Sequence, residues 1–187
     1  MKLVILDRDG VINQESDAYI KSVAEWHPIP GSLEAIARLC QAGYRVYVAS
    51  NQSGIGRGYF DYDALFAMND RLQQLVGEFG GRIDGIEFAP EHPDDASEMR
   101  KPAPGMLKDL ARRLGLSLED VAFVGDNAGD IAAAQAAGAR PVLVRTGRGA
   151  RTESEQIAAG VPTFDDLASF ATQFIAANGK LAGLQAI

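Results

Sequence analysis

Short apolar runs typical of β-strands alternate with segments of helical periodicity along the 187 residues, and this alternation constrains the fold more than any other feature. Strands that alternate with helices form βαβ units with right-handed crossovers, which build a parallel sheet covered on both faces. We therefore predict an α/β fold with a doubly wound, Rossmann-like parallel sheet in three layers. The predicted strands cover residues 3–6, 45–49, 85–89, 121–124 and 141–144.

The predicted helices lie between these strands and after the last one. The first follows Gly31, where apolar residues recur at the spacing of one helical face, and Gly43 fits its C-terminal cap. Another opens at Pro104, because proline suits the first turn of a helix. We predict one domain over residues 1–177 and a C-terminal tail over residues 178–187. The remaining predicted helices cover residues 61–79, 129–137 and 164–176.

The composition argues against several classes of function. The formal net charge of −7 disfavours a protein that coats nucleic acid. The single cysteine, Cys40, rules out an intramolecular disulfide framework and a cysteine-rich zinc site. The sequence has no apolar run long enough to span a membrane, and its first residues lack the apolar core of a signal peptide. We therefore expect a cytoplasmic protein that binds neither membranes nor nucleic acid.

Polar side chains lie at or shortly after the ends of the first four predicted strands. Because the carboxyl ends of parallel strands meet at one edge of the sheet, near the point where the strand order reverses, we expect them to surround one crevice. A crevice can hold a cluster of charges that would be too costly inside the core. The residues are Asp7 and Asp9 after the first strand, Ser50 and Asn51 after the second, Arg100 and Lys101 after the third, and Asp126 and Asp130 after the fourth.

Carboxylates crowded into one crevice repel one another unless a cation holds them together. Oxygen ligands without His or Cys suit Mg²⁺, which proteins bind through few carboxylates together with substrate phosphate. Lys101 and backbone N–H groups of the strand-end loops could hold phosphate oxygens. A carboxylate such as Asp7 can act as a nucleophile, and Asp9 could protonate the leaving alcohol and later deprotonate water. The pattern therefore predicts metal-dependent phosphoryl transfer.

Each motif has a simpler interpretation when it is considered alone. Two acids after a strand can be solvated turn residues, and "NQSG" can be a tight turn. "GDNAGD" can be a helix N-cap followed by a first-turn acid, so Asp130 could serve the helix alone or brace a metal site. All four motifs occur in order after successive predicted strands, however, and this favours the functional interpretation.

The four motifs together resemble those of the haloacid dehalogenase (HAD) superfamily of phosphatases. The resemblance rests on "LDRDGVIN", "SNQSG", "RKP" and "GDNAGD" and covers most of the chain, residues 2–147. The ordered set is highly specific, although a single motif is not. It implies an HAD-like fold, hydrolysis through an aspartyl-phosphate, and Mg²⁺ as the cofactor.

The resemblance also implies roles for the four acids. Asp7 is implied to be the nucleophile and a Mg²⁺ ligand. Asp9 is implied to be the general acid and base, and to bind the metal through its backbone carbonyl. Asp126 is implied as a further Mg²⁺ ligand, and Asp130 as a residue that supports the metal site without binding the ion.

Within the superfamily, "DRDGVIN", "NQSGIGRG" and "RKPAPGML" are most similar to the histidinol-phosphatase-like group, in particular to members that act on a heptose bisphosphate. This implies hydrolysis of the phosphate on the primary carbon of that sugar, in the synthesis of a lipopolysaccharide precursor. For Arg57, a solvated loop charge is an equally good interpretation. The residues implied to bind the phosphoryl group or the rest of the substrate are Ser50, Asn51, Gln52, Arg57, Arg100, Lys101, Asp17 and Tyr19.

Two other functions remain open from the sequence. The same chemistry could act on histidinol phosphate or another small phosphomonoester. A phosphate-binding or receiver-like module could instead use the acidic pocket without turnover. Asp9 argues against that module, because a mere phosphoryl acceptor needs no acid or base two residues further on.

One departure from the resemblance concerns residues 89–99. Relatives often carry a zinc-binding loop there, but the corresponding positions are Ala89, Glu91, Ser97 and Met99. A structural zinc needs about four ligands with thiolate or imidazole donors. We therefore predict no zinc.

The spacing of the motifs bears on access to the site. The segments between successive motifs are filled by a loop, a helix and a strand, so we predict no separate cap domain. The site should be open to a phosphorylated sugar, with specificity set by short loops. The sequence has no large apolar stripe left over for an interface, so we expect a monomer.

Overall fold

The computed structural model describes residues 1–155 and 158–181. Within them, six parallel strands form one sheet in the order β3-β2-β1-β4-β5-β6, which confirms the predicted doubly wound fold. The strands are β1 Leu3–Leu6, β2 Arg45–Asn51, β3 Gly85–Ala89, β4 Ala122–Gly125, β5 Arg140–Val144 and β6 Thr163–Phe164. The helices are α1 Ser32–Gln41, α2 Tyr62–Glu78, α3 Gly105–Leu114, α4 Ala128–Ala137, α5 Gly149–Ser154 and α6 Leu167–Ala176.

The central strand β1 separates two apolar cores, because successive side chains of a strand point to opposite faces. Val4 and Leu6 belong to the core that contains residues of α1, α2 and α6, whereas Leu3 and Ile5 belong to the core formed with α3 and α4. All four side chains are at most 3% exposed, and each contributes about 1.5–3 kcal/mol by burial. Asp7, directly after this strand, is therefore the first polar residue beyond the core.

Local sequence signals end the helices near the predicted positions. Asp61 is the N-cap of α2, and its carboxylate accepts a hydrogen bond of 2.9 Å from the backbone N–H of Ala64. α3 begins directly after Pro104 and ends at Gly115, whose φ of 64° lies in the left-handed region that favours glycine. Because the strands are parallel, the starts of α2 and α3 lie towards the carboxyl edge of the sheet, whereas Gly115 ends α3 towards the opposite edge.

Most elements shift by one or two residues from the sequence prediction, and the larger differences concern β2, α5, β6 and α6. β2 continues to Asn51, so Ser50 and Asn51 end the strand rather than follow it, because both pair with β3. The predicted helix over residues 164–176 begins only at Leu167, because Phe164 pairs with Val144 in β6 and Asp166 caps the helix. Helix α5 and strand β6 were not predicted, since neither is long enough to show a clear periodicity.

The C-terminal end only partly lies within the described residues. Of the predicted tail, residues 182–187 lie outside them, whereas Leu181 is 5% exposed and belongs to the core of α1, α2 and α6. The loops that connect β1 to α1, β2 to α2 and β3 to α3 contain no further helix or strand of their own in the described chain, in agreement with the prediction that there is no large cap domain. None of the described helices has the length and hydropathy needed to cross a bilayer.

Candidate active site

Three neighbouring strands deliver the predicted catalytic residues to one edge of the sheet. β1 lies between β2 and β4, so Asp7, Ser50 and Asp126 stand at the ends of adjacent strands. The backbone N–H of Asp7 donates to the carbonyl of Val124 in β4 at 2.8 Å, which fixes the start of the first loop against that strand. Lys101 reaches the same place from the loop between β3 and α3.

Lys101 is the centre of a buried charge cluster. Its Nζ lies 2.9 Å from Oδ1 of Asp7 and 2.6 Å from Oδ1 of Asp130, and it donates to the carbonyl of Ala49 at 2.9 Å. Lys101, Asp7 and Asp130 are each at most 5% exposed. Burial opposes the charged ammonium, but the carboxylates of Asp130 and Asp7 outweigh it and raise the pKa of Lys101. The ammonium therefore stays charged at any physiological pH.

Asp7 is held at one of its two carboxylate oxygens. Oδ1 accepts the backbone N–H of Arg8 at 2.7 Å and faces Lys101. Burial, and then the negative charge of Asp130, raise the pKa of Asp7 well above its ordinary value, although Lys101 works in the opposite direction. The protein alone therefore does not fully compensate the negative charge at this position, which is a condition that favours a bound cation.

Asp126 and Asp130 are linked by the start of helix α4. Asn127 caps this helix, with its side chain accepting from the backbone N–H groups of Gly129 and Asp130, and Asp130 Oδ2 accepts in return from the N–H of Asn127. Asp130 Oδ2 also accepts the backbone N–H of Asp126 at 3.1 Å. Asp130 thus serves the helix cap with one oxygen and contacts Lys101 with the other, which confirms its helix-capping role, while its support of a metal site stays a prediction.

The carboxylate of Asp126 is fixed by the loop after β5 as well as by its own neighbour. Its Oδ2 accepts the backbone N–H of Arg148 at 2.8 Å, and its Oδ1 accepts from the side chain of Asn127 at 2.9 Å. Burial, followed by the charge of Asp130, raises the pKa of Asp126 to about 6. A Cβ at Gly10 or Gly147 would stand 2.1 or 2.2 Å from Asp126 Oδ2, so only glycine allows the two loops to approach it this closely.

These residues fit a magnesium ion. Among the described residues, Asp7, Asp126 and Asp130 form one group whose carboxylate oxygens lie within 4.8 Å of one another. All three are buried, and hard oxygen donors without thiolate or imidazole suit Mg²⁺. The side chain of Asp9 is not part of this group, so its implied contribution to the metal remains the one through its backbone carbonyl.

The carboxylate of Asp9 is held by donors from three residues. Oδ1 accepts from Nε of Arg8 at 3.2 Å and from the side-chain amide of Asn13 at 2.8 Å. Oδ2 accepts from Nη2 of Arg8 at 3.1 Å and from the side-chain amide of Gln52 at 2.8 Å. The side chain of Asp9 is nevertheless 23% exposed, so it is both oriented and accessible from the cavity.

The three successive residues Ser50, Asn51 and Gln52 of the second motif make different contacts in the site. Gln52 Nε2 donates to Ser50 Oγ at 2.9 Å as well as to Asp9, and so links the two. The side-chain amide of Asn51 exchanges two hydrogen bonds of 2.9 Å with the backbone of Lys101, which attaches the loop after β3 to the end of β2. Asn51 therefore positions Lys101 in addition to lining the cavity.

One cavity of about 490 Å³ connects the catalytic and the substrate-binding candidates. Its rim is more exposed than its floor: the side chain of Asp17 is fully exposed, and Arg57 is exposed on the loop after β2. Tyr19 has a φ of 63°, unusual for a residue other than glycine, and its ring packs edge-on against Tyr59 at 5.1 Å between centroids. The lining includes Asp7, Asp9, Asp17, Tyr19, Ser50, Asn51, Gln52, Arg57, Arg100 and Lys101.

The structure also brings residues to the site that the sequence analysis did not assign. Arg8 and Asn13 contact Asp9, and Arg148 and Glu15 line the cavity and form an ion pair of 2.9 Å. The loop "RTGRG" after β5 also stands at the carboxyl end of a strand next to β4. The rule that identified the first four motifs therefore applied to this fifth loop as well.

Comparison with known proteins agrees with this geometry. Residues 98–170 match a hydrolase family described as HAD-hydrolase-like. The chain is 54% identical to the D-glycero-β-D-manno-heptose-1,7-bisphosphate 7-phosphatase of Pseudomonas putida, over 94% of its own length and all of that protein. It is 53% identical to the protein of the same name from Pseudomonas aeruginosa, over 92% of this chain and 97% of the other.

A solved structure extends the similarity to the fold. The D,D-heptose 1,7-bisphosphate phosphatase of B. bronchiseptica, in complex with magnesium and phosphate, superimposes with a TM-score of 0.92 and 47% sequence identity. The superposition covers 95% of this chain and 99% of the other.

The reversed strand order at β1, the acidic group beneath the cavity and the buried lysine define a hydrolase of the haloacid dehalogenase superfamily. Sequence identity of 53–54% over 92–94% of the chain identifies one family within this superfamily. The chain belongs to the family of D-glycero-β-D-manno-heptose-1,7-bisphosphate 7-phosphatases.

Proposed function

We propose that the protein is a Mg²⁺-dependent phosphatase that removes the C7 phosphate of D-glycero-D-manno-heptose 1,7-bisphosphate, a step in the synthesis of a lipopolysaccharide precursor. The observation that carries this proposal is the convergence of Asp7, Lys101 and Asp126 beneath one open cavity. The family of the chain supports the choice of substrate. Enzymes accelerate phosphoryl transfer mainly by positioning the reacting groups and by stabilising charge in the transition state.

In the first half of the reaction, Asp7 attacks phosphorus. Lys101 and the N–H of Arg8 both contact Oδ1, whereas no hydrogen bond to Oδ2 is seen among the described residues, so we assign the attack to Oδ2. A bond forms between this oxygen and phosphorus, and the bond from phosphorus to the C7 oxygen breaks. Asp9 donates its proton to the departing alkoxide, which leaves as the alcohol.

In the second half, water hydrolyses the aspartyl-phosphate. Asp9, now a carboxylate, takes a proton from water as its oxygen attacks phosphorus, and the bond from phosphorus to Asp7 breaks. Inorganic phosphate is released, and both acids return to their starting protonation states. Asp7, Asp126 and the backbone carbonyl of Asp9 would hold Mg²⁺, which would supply positive charge to the phosphoryl oxygens alongside Lys101.

The rim of the cavity offers a place for the second phosphate. Nη1 of Arg100 is buried and has no hydrogen-bond partner among the described residues, and Arg57 lines the cavity with it. A guanidinium binds phosphate with two parallel hydrogen bonds, so these arginines suit the C1 phosphate. Glu15 and Asp17 line another part of the cavity, where Arg148 pairs with both. Carboxylates there would repel a phosphate and would instead accept hydrogen bonds from sugar hydroxyls.

The test is a comparison of kcat/KM across a small panel of phosphomonoesters. We expect the heptose 1,7-bisphosphate to be preferred over histidinol phosphate and over hexose 6-phosphates, with release of one phosphate and retention of the other on C1 by ³¹P NMR. A preference for histidinol phosphate would replace the substrate and keep the chemistry. Absence of hydrolysis across the panel with Mg²⁺ present would favour a phosphate-binding module instead.

The surroundings of the enzyme are part of the same proposal. A phosphorylated sugar is its only expected partner, since the net charge of −7 disfavours nucleic acid. We propose that it works as a monomer in the cytoplasm, where its substrate would be made. Size-exclusion chromatography with light scattering tests the oligomeric state.

A further inference from the structure

Arg8 is a buried arginine at the base of the cavity. In the sequence it stands between the two acids of the first motif. It is 1% exposed, which is rare for an arginine unless its charge is paired. It is one of the largest fully buried side chains of the described protein. Burying a charge this completely is costly unless it is paired and hydrogen-bonded, so the contacts of Arg8 indicate what the arginine does.

The contacts of Arg8 are directed at Asp9. Nη2 donates to both carboxylate oxygens at 3.1 Å, and Nε donates to Oδ1 at 3.2 Å. Nη2 also donates to Oε1 of Gln52 at 3.1 Å, and Nη1 lies 3.4 Å from Oδ1 of Asn69 on helix α2. The guanidinium thus connects Asp9 to the end of β2 and to a helix that is 61 residues away in the chain.

Gln52 forms hydrogen bonds with both Arg8 and Asp9. Its carbonyl oxygen accepts from Arg8, while its amide nitrogen donates to Asp9 and to Ser50. Asn13 adds a further donor to Asp9 from the other side at 2.8 Å. The orientation of the Asp9 carboxylate is therefore set by groups from several parts of the chain rather than by its own rotamer preference.

We propose that Arg8 is a positioning residue that holds Asp9 in the orientation from which it protonates the leaving alcohol. The proposal rests on the acid and base role proposed for Asp9. Arg8 lines the cavity, but it is 1% exposed and its guanidinium donates to Asp9 and Gln52, so we assign it a positioning role rather than a contact with the reacting atoms. Its planar fork can contact both oxygens of one carboxylate and still donate to Gln52, which a lysine ammonium with its flexible stem cannot do in a fixed plane.

A positioning role predicts dependence on the leaving group. An alkoxide is a poor leaving group and needs a proton as it departs, whereas 4-nitrophenolate leaves without one. The value of kcat/KM reports the steps through departure of the leaving group and is insensitive to later hydrolysis of the aspartyl-phosphate. Misplacing Asp9 should therefore lower kcat/KM for a sugar phosphate far more than for 4-nitrophenyl phosphate.

The experiment compares the wild type with Arg8→Lys and Asp9→Asn on these two substrates, with Mg²⁺ present. For Arg8→Lys we expect a loss of about 10–100-fold in kcat/KM for the heptose bisphosphate and less than about threefold for 4-nitrophenyl phosphate, since general acid catalysis contributes about 10²–10⁴-fold. Equal losses on both substrates would mean that Arg8 is merely structural, and would overturn the proposal.

Asp9→Asn separates this proposal from the proposed function. A selective loss on the sugar phosphate in Asp9→Asn, combined with no selective loss in Arg8→Lys, would reject the role of Arg8 alone. Full activity of Asp9→Asn on the sugar phosphate would reject the proposed role of Asp9 as well.

Should Arg8→Lys fail to fold, Asn69 gives a second route to the same question. It contacts Arg8 from α2 and does not line the cavity. Asn69→Leu removes the acceptor at the far end of the guanidinium, and Asn69→Asp retains one. We expect Asn69→Leu to lose about 3–10-fold on the sugar phosphate alone, with Asn69→Asp close to the wild type, in line with one net hydrogen bond. Equal effects of Asn69→Leu on both substrates would overturn the proposal.

Discussion

The floor of the cavity and its rim differ in how their charged side chains are arranged. The buried floor consists of Asp7, Lys101, Asp126 and Asp130, each at most 5% exposed, and its charges contact one another within the protein. The open rim consists of the loops over residues 15–20, 52–60 and 90–100, and it contains cationic groups such as Arg57 and Arg100 that line the cavity.

This difference separates chemistry from selectivity. The floor groups are buried and pair with each other over short distances, where electrostatic interactions are stronger than in bulk water, so we expect them to act alike on any phosphoryl group that enters. The rim arginines can pair only with what the substrate brings. Changes on the floor should therefore affect every phosphomonoester, and changes on the rim should affect only those with a second anionic group.

The largest effect is expected at the floor, for Asp7→Asn. An amide is a poor nucleophile, so turnover should fall by more than about 10³-fold for the sugar phosphate and for 4-nitrophenyl phosphate alike. Asparagine has the same shape and removes a charge that burial disfavours, so the thermal unfolding midpoint should remain close to that of the wild type. Activity above about one-tenth of the wild type on either substrate would refute the assignment of Asp7.

Removal of the metal should have a comparable effect on activity. Chelation should abolish hydrolysis of both substrates, and added Mg²⁺ should restore it, because Lys101 alone does not fully compensate the buried carboxylates of Asp7 and Asp126. Saturating Mg²⁺ should also stabilise the fold, by about 2.7 kcal/mol at 100 times its Kd.

Metal analysis of the purified protein checks the prediction about zinc in the same preparation. We expect zinc well below one equivalent per chain, since residues 89–99 lack cysteine. A ratio near one would contradict that prediction.

A smaller and selective effect is expected at the rim. Arg100→Ala should lower kcat/KM for the heptose bisphosphate by about 10–100-fold, since a hydrogen bond between charged groups contributes about 1.5–3 kcal/mol. Arg57 is more exposed, so Arg57→Ala should cost only about threefold. Neither variant should change kcat/KM for 4-nitrophenyl phosphate, which has no second phosphate. A parallel loss on that substrate would show that the rim and the floor are not separable.

The smallest effect concerns Glu15, where the rim approaches the floor. Burial, and then the charge of Asp126, raise the pKa of Glu15 from 4.5 to about 7. The folded protein therefore holds this proton more tightly than the unfolded chain, and the free energy of unfolding should decrease as pH rises from about 4.5 to about 7. Asp7 and Asp126, whose pKa values are also raised, contribute to this decrease in both proteins. In Glu15→Gln the decrease should therefore be smaller, by about 1 kcal/mol because the side chain of Glu15 is partly solvated.

The measurement is chemical denaturation of both proteins at several pH values without Mg²⁺, since the ion would offset the charge of Asp126. Parallel pH profiles for the wild type and Glu15→Gln would show that Glu15 does not respond to the floor.

The sequence predicted the architecture well because its signals are local. β1 and β3 match their predicted bounds, and caps such as Asp61 and Gly115 mark helix ends with residues whose chemistry serves that purpose. The prediction failed where pairing with a distant strand overrides local pattern. Phe164 has a helical context in sequence, but it pairs with Val144 and becomes part of β6.

The same distinction applies to the site. The acids Asp7 and Asp126 could be identified because each follows a buried strand. The roles of Arg8 and Arg148 could not, because a charged residue in a loop looks the same in sequence whether it is solvated or buried. Only the fold shows that the buried guanidinium of Arg8 donates to Asp9, and that the backbone N–H of Arg148 donates to Asp126.

The sequence by itself therefore determined the alternation of strands and helices, the kinds of groups at the strand ends and the chemistry those groups can perform, since these depend on residue type and short spacing. Tertiary structure decided which charges neutralise each other and which remain for the substrate. The reason is physical: the energy of a charge depends on its distance from other charges and from water, and neither distance is set by separation along the chain.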